Sequence, residues 1–98
     1  MNLLKVKKVE NNSTPKLIQE DFIEIEDFFV KYQLFVTCHE GNHSFSIILE
    51  KYNCYICTEK AEIQNFTSNE KEALKIFNKL TNGSVTPMCL EDCVLELL

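Results

Sequence analysis

Five cysteines and two histidines are the residues whose types and spacing invite chemistry in this chain. Cys54-Tyr55-Ile56-Cys57 is a CxxC, and Cys89 and Cys93 stand one helical turn apart. With His39 and His43, these thiols make zinc the sharpest chemical hypothesis, since thiolate and imidazole are the donors that tetrahedral zinc takes. The predicted setting opposes it. CxxC knuckles sit on tight turns, whereas this pair falls on a predicted strand, where positions i and i+3 point to opposite faces. Free cysteine behaves as a small, often buried hydrophobe, so packed or half-buried thiols are the plainer expectation.

Redox and nucleophilic roles meet similar objections. A thioredoxin-like site needs its CxxC at a helix N-terminus, where the dipole lowers the thiol pKa, and neither pair is placed so. Cys89, on the first turn of the last predicted helix, is the one thiol that argument favours. A Cys–His nucleophile would need His39 or His43 within reach, yet both sit in or beside a predicted hairpin loop. The carboxylates Glu20, Asp21, Glu24, Glu26 and Asp27 form an acidic run that reads as a solvated face rather than a general acid–base pair. Such a run attracts basic partners. Both glycines, Gly41 and Gly83, have turn positions, which leaves none for a phosphate-cradling loop. The expectation is a protein without catalytic, cofactor-binding or metal-binding residues.

Composition narrows the class. At 98 residues, with 45% hydrophobic and 26% charged side chains, the chain has room for one globular domain. Ten basic against fifteen acidic side chains give a net charge of -5, which argues against a nucleic-acid binder. The basic cluster Lys5, Lys7 and Lys8 reads as a solvated strand edge. No apolar run approaches the roughly 20 residues that span a bilayer. No charged segment followed by an apolar one opens the chain, so the expectation is a cytoplasmic protein with reduced thiols and no membrane partner.

The elements that position these residues follow from hydrophobic periodicity. Leu3 to Glu10 reads as a short strand or loosely packed arm, closed by Asn11-Asn12-Ser13-Thr14-Pro15. Residues 16–27 fit two readings. Ile18, Phe22, Ile25 and Phe29 recur at helical spacing, whereas Ile23-Glu24-Ile25-Glu26 alternates at period two. Acidic residues at the carboxyl end would oppose a helix dipole, which favours extended structure. From Phe28 the alternation is clear: Phe28, Val30, Tyr32, Leu34, Val36 and Cys38 share one strand face, and Phe29 and Phe35 lie on the other.

A hairpin follows. A two-residue loop at Gly41-Asn42 pairs Val36 with Ile47, Leu34 with Leu49, Cys38 with Phe45 and Phe35 with Ile48. A one-residue slip would mix the apolar and polar faces. A second turn near Tyr52-Asn53 leads to a third strand from about Cys54 to Ile63, with a bulge near Glu59-Lys60 where the phase changes. Thr67 and Glu70, or Ser68, cap a helix whose stripe is Ala73, Ile76, Phe77 and Leu80, and Asn82-Gly83 supplies a left-handed stop. Thr86-Pro87 opens a second helix that buries Leu90, Val94 and Leu97.

From about Tyr32 onward the chain resembles a family of short uncharacterised proteins from clostridia and related Firmicutes, a domain of unknown function. The resemblance rests on the strand pair with its tight turn, on Ile63-Gln64-Asn65-Phe66-Thr67-Ser68, and on the tail Val85-Thr86-Pro87-Met88-Cys89-Leu90-Glu91-Asp92-Cys93-Val94. That tail is similar to the family ending V-[ST]-P-x-x-L-x-D-V. The resemblance implies a bacterial cytosol and this fold, and it brings no activity.

The reading is therefore α+β: a three-stranded antiparallel meander, or four to five strands with the N-terminal segment, then two helices on one face. If the helices cover Val36, Leu34, Ile47 and Leu49, then Phe29, Phe35 and Ile48 form an apolar patch on the other face. Leu4, Val6 or Ile18 could cover it from within, or a second copy could do so in a symmetric dimer. The functional expectation is a small non-enzymatic interaction or regulatory module, with a thiol- or zinc-dependent protein as the alternative.

Overall fold

The computed structural model describes residues 14–98. The predicted first strand, the Lys5–Lys8 cluster, and Leu4 and Val6 as a cover lie outside the described residues. Four strands, β1 (Lys16–Ile25), β2 (Phe28–His39), β3 (Asn42–Asn53) and β4 (Ile56–Thr67), form one antiparallel sheet in the order β1-β2-β3-β4. Helices α1 (Glu70–Asn82) and α2 (Leu90–Leu97) follow, with a 3₁₀ turn over Pro87–Cys89 between them. The α+β meander with two C-terminal helices is as the periodicity predicts, and residues 16–25 are extended.

One sheet face and both helices make the core. Val30, Tyr32 and Leu34 of β2 and Phe45, Ile47 and Leu49 of β3 bury the alternate positions of two adjacent strands. Ala73, Ile76, Phe77 and Leu80 of α1, with Leu90 and Val94 of α2, pack onto them. Leu97 is only half-buried against this cluster, so the last stripe is narrower than its spacing suggests. Each large side chain taken out of water there contributes roughly 1.5–3 kcal/mol, which is why the whole α1 stripe is inside.

Hairpin register departs from the expectation, for a reason of turn chemistry. The loop is Glu40-Gly41, not Gly41-Asn42, with φ of 52° and 81°. A type I′ turn requires positive φ at both central residues and favours glycine at the second, where Gly41 stands. Moving the loop one residue shifts every pair by two: Val36 faces Phe45, Leu34 faces Ile47, Tyr32 faces Leu49 and Phe35 faces Ser46. Both faces survive, because two residues is one full strand period.

The next turn is displaced as well. It is Cys54-Tyr55, with φ of 52° and 68°, rather than Tyr52-Asn53, so β4 starts at Ile56 and runs on to Thr67. Lys51 pairs with Glu59 and Tyr52 with Cys57, which leaves Thr58 as the extra residue, one before the predicted bulge. A second irregularity separates Ile47↔Ile63 from Phe45↔Thr67, where Asn65 has φ of 53°. Its amide donates to the Ser46 hydroxyl at 2.9 Å and its side-chain oxygen accepts from the Ser44 hydroxyl at 2.7 Å.

Helix ends also differ in detail. Asn69 caps α1, its side-chain oxygen accepting from the Glu72 amide at 2.9 Å, in place of Thr67 or Ser68. The Thr67 hydroxyl instead donates to the Glu72 carboxylate at 2.6 Å and accepts from the Asn69 amide. Gly83 is not left-handed (φ -89°); Ser84, at 52°, takes that conformation. Thr86 precedes the 3₁₀ turn with no side-chain capping bond, and Pro87 is buried at its first position. Tyr32 fastens the interhelical link to the sheet, its phenol donating to the Val85 carbonyl at 2.8 Å.

Candidate interaction surface

The helices cover one face of the sheet, and among the described residues no element lies over the other. Strand alternation puts Phe22 and Glu24 of β1, Phe29, Lys31, Gln33 and Phe35 of β2, and Ser46, Ile48, Glu50 and Tyr52 of β3 on this open face. One end carries aromatic rings with carboxylates beside them, the middle is ionic, and the other end is apolar.

The end beside the turns Glu26-Asp27 and Cys54-Tyr55 is aromatic. Phe29 stacks on Tyr52, with centroids 5.0 Å apart and planes within 8°, and meets Phe22 at 6.0 Å and 52°. One continuous row of rings thus crosses β1, β2 and β3. Phe22 is 57% exposed on the edge strand.

Glu50 organises the middle. Lys31 lies 3.1 Å from its carboxylate, Lys60 3.8 Å, and the Tyr52 hydroxyl donates at 3.0 Å. Burial pushes the Glu50 carboxyl up, but the bonds from Lys31 and Tyr52 outweigh it, and the group titrates below its ordinary range. The same bond to Glu50 raises both Lys31 and Tyr52. Beside them the Gln33 amide donates to Glu20 at 2.7 Å.

At the far end Phe35 and Ile48, with Pro15 and Thr37, line a shallow depression of about 320 Å³. The predicted patch of Phe29, Phe35 and Ile48 is therefore on the open face, but it is two patches. Ile48 pairs with Gln33 rather than Phe35, and Lys31 and Gln33 separate Phe29 from Phe35 along β2. Phe22 and Tyr52 complete the aromatic end and were not foreseen. Phe22 belonged to the segment that also fitted a helix, and Tyr52 to a predicted turn. The period-two alternation Ile23-Glu24-Ile25 is the signal that would have found the first, since it puts Phe22 on the face opposite Ile23 and Ile25.

The thiols are not packed as expected. Cys38, Cys54, Cys57 and Cys89 are exposed and Cys93 is half-buried. Cys38 is next to the end of β2, Cys54 is in the turn between β3 and β4, Cys57 lies opposite Tyr52 on the open face, and Cys89 is on the 3₁₀ turn. Cys54 is on a tight turn, so the geometric objection to the CxxC, that both residues occupy a strand, does not hold. Burial, with Cys89 close by, raises the Cys93 thiol pKa. His39 and His43 stand at the opposite end of the sheet from Cys54 and Cys57; His39 is 3.9 Å from Glu40. Among the described residues no group of three or more His, Cys, Asp or Glu side chains is placed to hold a metal ion.

A second apolar depression, of about 570 Å³, runs between β4 and α2, with Met88, Leu95 and Leu98 exposed along it. Among the described residues no helix is long and apolar enough to cross a membrane. No protein-family profile, curated protein or solved structure matches this chain.

Proposed function

We propose that this protein is a small, cytoplasmic, non-enzymatic interaction module of a regulatory kind, and that its contact surface is the open sheet face. One observation carries the reading: both faces of the sheet hold aromatic and aliphatic side chains, and the helices cover only one. A contiguous apolar cluster on so small a sheet marks a contact site. The Phe35–Ile48 end has a single carboxylate, Glu62, around its depression, so two copies can meet there with little like-charge repulsion. The resemblance to the clostridial and Firmicute family belongs to the same proposal, and with it a bacterial cytosol in which the exposed thiols stay reduced.

Sedimentation of the full chain over a concentration series, beside Phe35→Glu, tests it. The wild type is expected to self-associate reversibly and the variant to be a folded monomer. A monomeric wild type, with Phe35→Glu unfolding at a much lower temperature, would place Phe35 in the interior and remove the contact surface.

The alternative is a thiol- or zinc-dependent protein, favoured by the turn position of Cys54 and the exposure of Cys57. It lacks a third ligand among the described residues.

A further inference from the structure

The aromatic end of the open face carries rings and carboxylates together. Two shallow depressions meet there. One, of about 370 Å³, has Glu24, Glu26, Asp27, Phe29, Tyr52 and Tyr55 in its wall. The other, of about 340 Å³, lies between Phe22, Glu24 and Phe29. Glu24 and Phe29 are cross-strand partners and belong to both. Tyr55 is 90% exposed at the tip.

The surface has an unmet electrostatic demand. Among the described residues, Glu24, Glu26 and Asp27 take part in no ion pair. Lys31, the cation that reaches these rings, lies 5.8 Å from the Tyr52 centroid but is held by Glu50 at 3.1 Å. Lys51 sits over Phe28 on the opposite face, 4.3 Å from its centroid, and is 4.0 Å from Glu59.

Ligand classes can be sorted on these terms. An apolar partner would strip water from the carboxylates and offer them nothing in return. An anionic partner is repelled. A second copy would bring the same acidic residues, on a chain of net charge -5. A guanidinium satisfies both features at once, stacking on an aromatic face and pairing through its fork with a carboxylate.

We propose that the Phe22–Phe29–Tyr52 end of the sheet docks a basic peptide segment of a partner protein, placing an arginine between these rings and the carboxylates of Glu24, Glu26 and Asp27. The assignment rests on the interaction-module reading and names the chemistry of its partner.

The test is a titration of the full-length protein with a synthetic peptide of alternating glycine and arginine, followed by amide chemical shifts. A glycine–glutamate peptide is the control. Saturable shifts confined to Glu24–Phe29 and Tyr52–Tyr55 are expected, with none from the control, and binding should weaken as salt is raised. Phe22→Ala, at an exposed site, should weaken binding by roughly two- to fivefold, the scale of one cation–π contact. Glu24→Gln with Glu26→Gln should weaken it by roughly tenfold. Shifts scattered over the other carboxylates, or affinity indifferent to both variants, would overturn the assignment. So would aromatic resonances that move on dilution of the free protein, because a second copy would then hold the site. Absence of peptide binding while Phe35→Glu still abolishes self-association overturns the basic partner alone and leaves the module reading standing.

Discussion

Tyr32 shows what a single residue contributes here. It is fully buried, and its one hydrogen bond ties β2 to the carbonyl of Val85 between the helices. Burial, helped by Asp21 across the strand pair, pushes its pKa from 10 up to about 12. A raised phenol pKa stabilises the fold fully below pH 10, and that stabilisation is lost as pH rises through the folded-state value of about 12. Tyr32→Phe leaves the Val85 carbonyl unpaired and should cost about 1–3 kcal/mol at neutral pH. Urea midpoints between pH 8 and 12 should fall less steeply in the variant than in the wild type. The cysteines make the second test at this scale. Elemental analysis of protein purified without chelator or affinity tag should find no stoichiometric zinc, and EDTA should leave the melting temperature unchanged. About one zinc per chain would instead support the thiol reading. Its place in the alternation with Val30 and Leu34 made Tyr32 legible in the sequence as a member of the core face. Its hydrogen bond was not legible, because nothing local links Tyr32 to Val85. The exposure of the thiols was hidden for a like reason: it depends on which sheet face is left open and on where the turns fall.

At the scale of elements, strands and helices were legible because their periods are strong. Ala73, Ile76, Phe77 and Leu80 are all buried, as their spacing requires. Register was not legible to the same degree. A two-residue shift preserves the face of every side chain, so hydrophobic pattern alone cannot separate Val36↔Phe45 from Val36↔Ile47. The turn decides, and Gly41 at the second loop position is what decides it. Gly41 has φ of 81° and open space around it, so Gly41→Ala should cost about 1 kcal/mol through backbone strain alone. At the other turn the left-handed positions are filled by Cys54 and Tyr55. Replacing the pair by Asn-Gly should therefore raise stability by about 1 kcal/mol, read as a shift in urea midpoint with unchanged slope. In α2, Leu90 is fully buried, and Leu90→Ala should lose about 2–4 kcal/mol. A protein truncated after Pro87 that melted like the full chain would make α2 an appendage.

For the whole molecule, the arrangement is a sheet with one face closed and the other open. That division was legible in outline, since Phe35 and Ile48 have the opposite parity to Leu34 and Ile47. The split of the open face into an acidic aromatic end, an ionic middle around Glu50 and a nearly uncharged end was not. It depends on which side chains β1 brings alongside β2, and the extended reading of residues 16–27 carried no pairing register. Ile47 and Ile48 put the central claim to the test, being identical neighbours on opposite faces of one strand. Urea unfolding of Ile47→Ala and Ile48→Ala, at a concentration low enough to keep every chain monomeric, should separate them. Ile47→Ala, inside the core, is expected to lose about 2–5 kcal/mol, and Ile48→Ala less than about 1 kcal/mol. Equal losses would contradict the account, because Ile48 would then belong to an interior and the open face would not be a surface for partners.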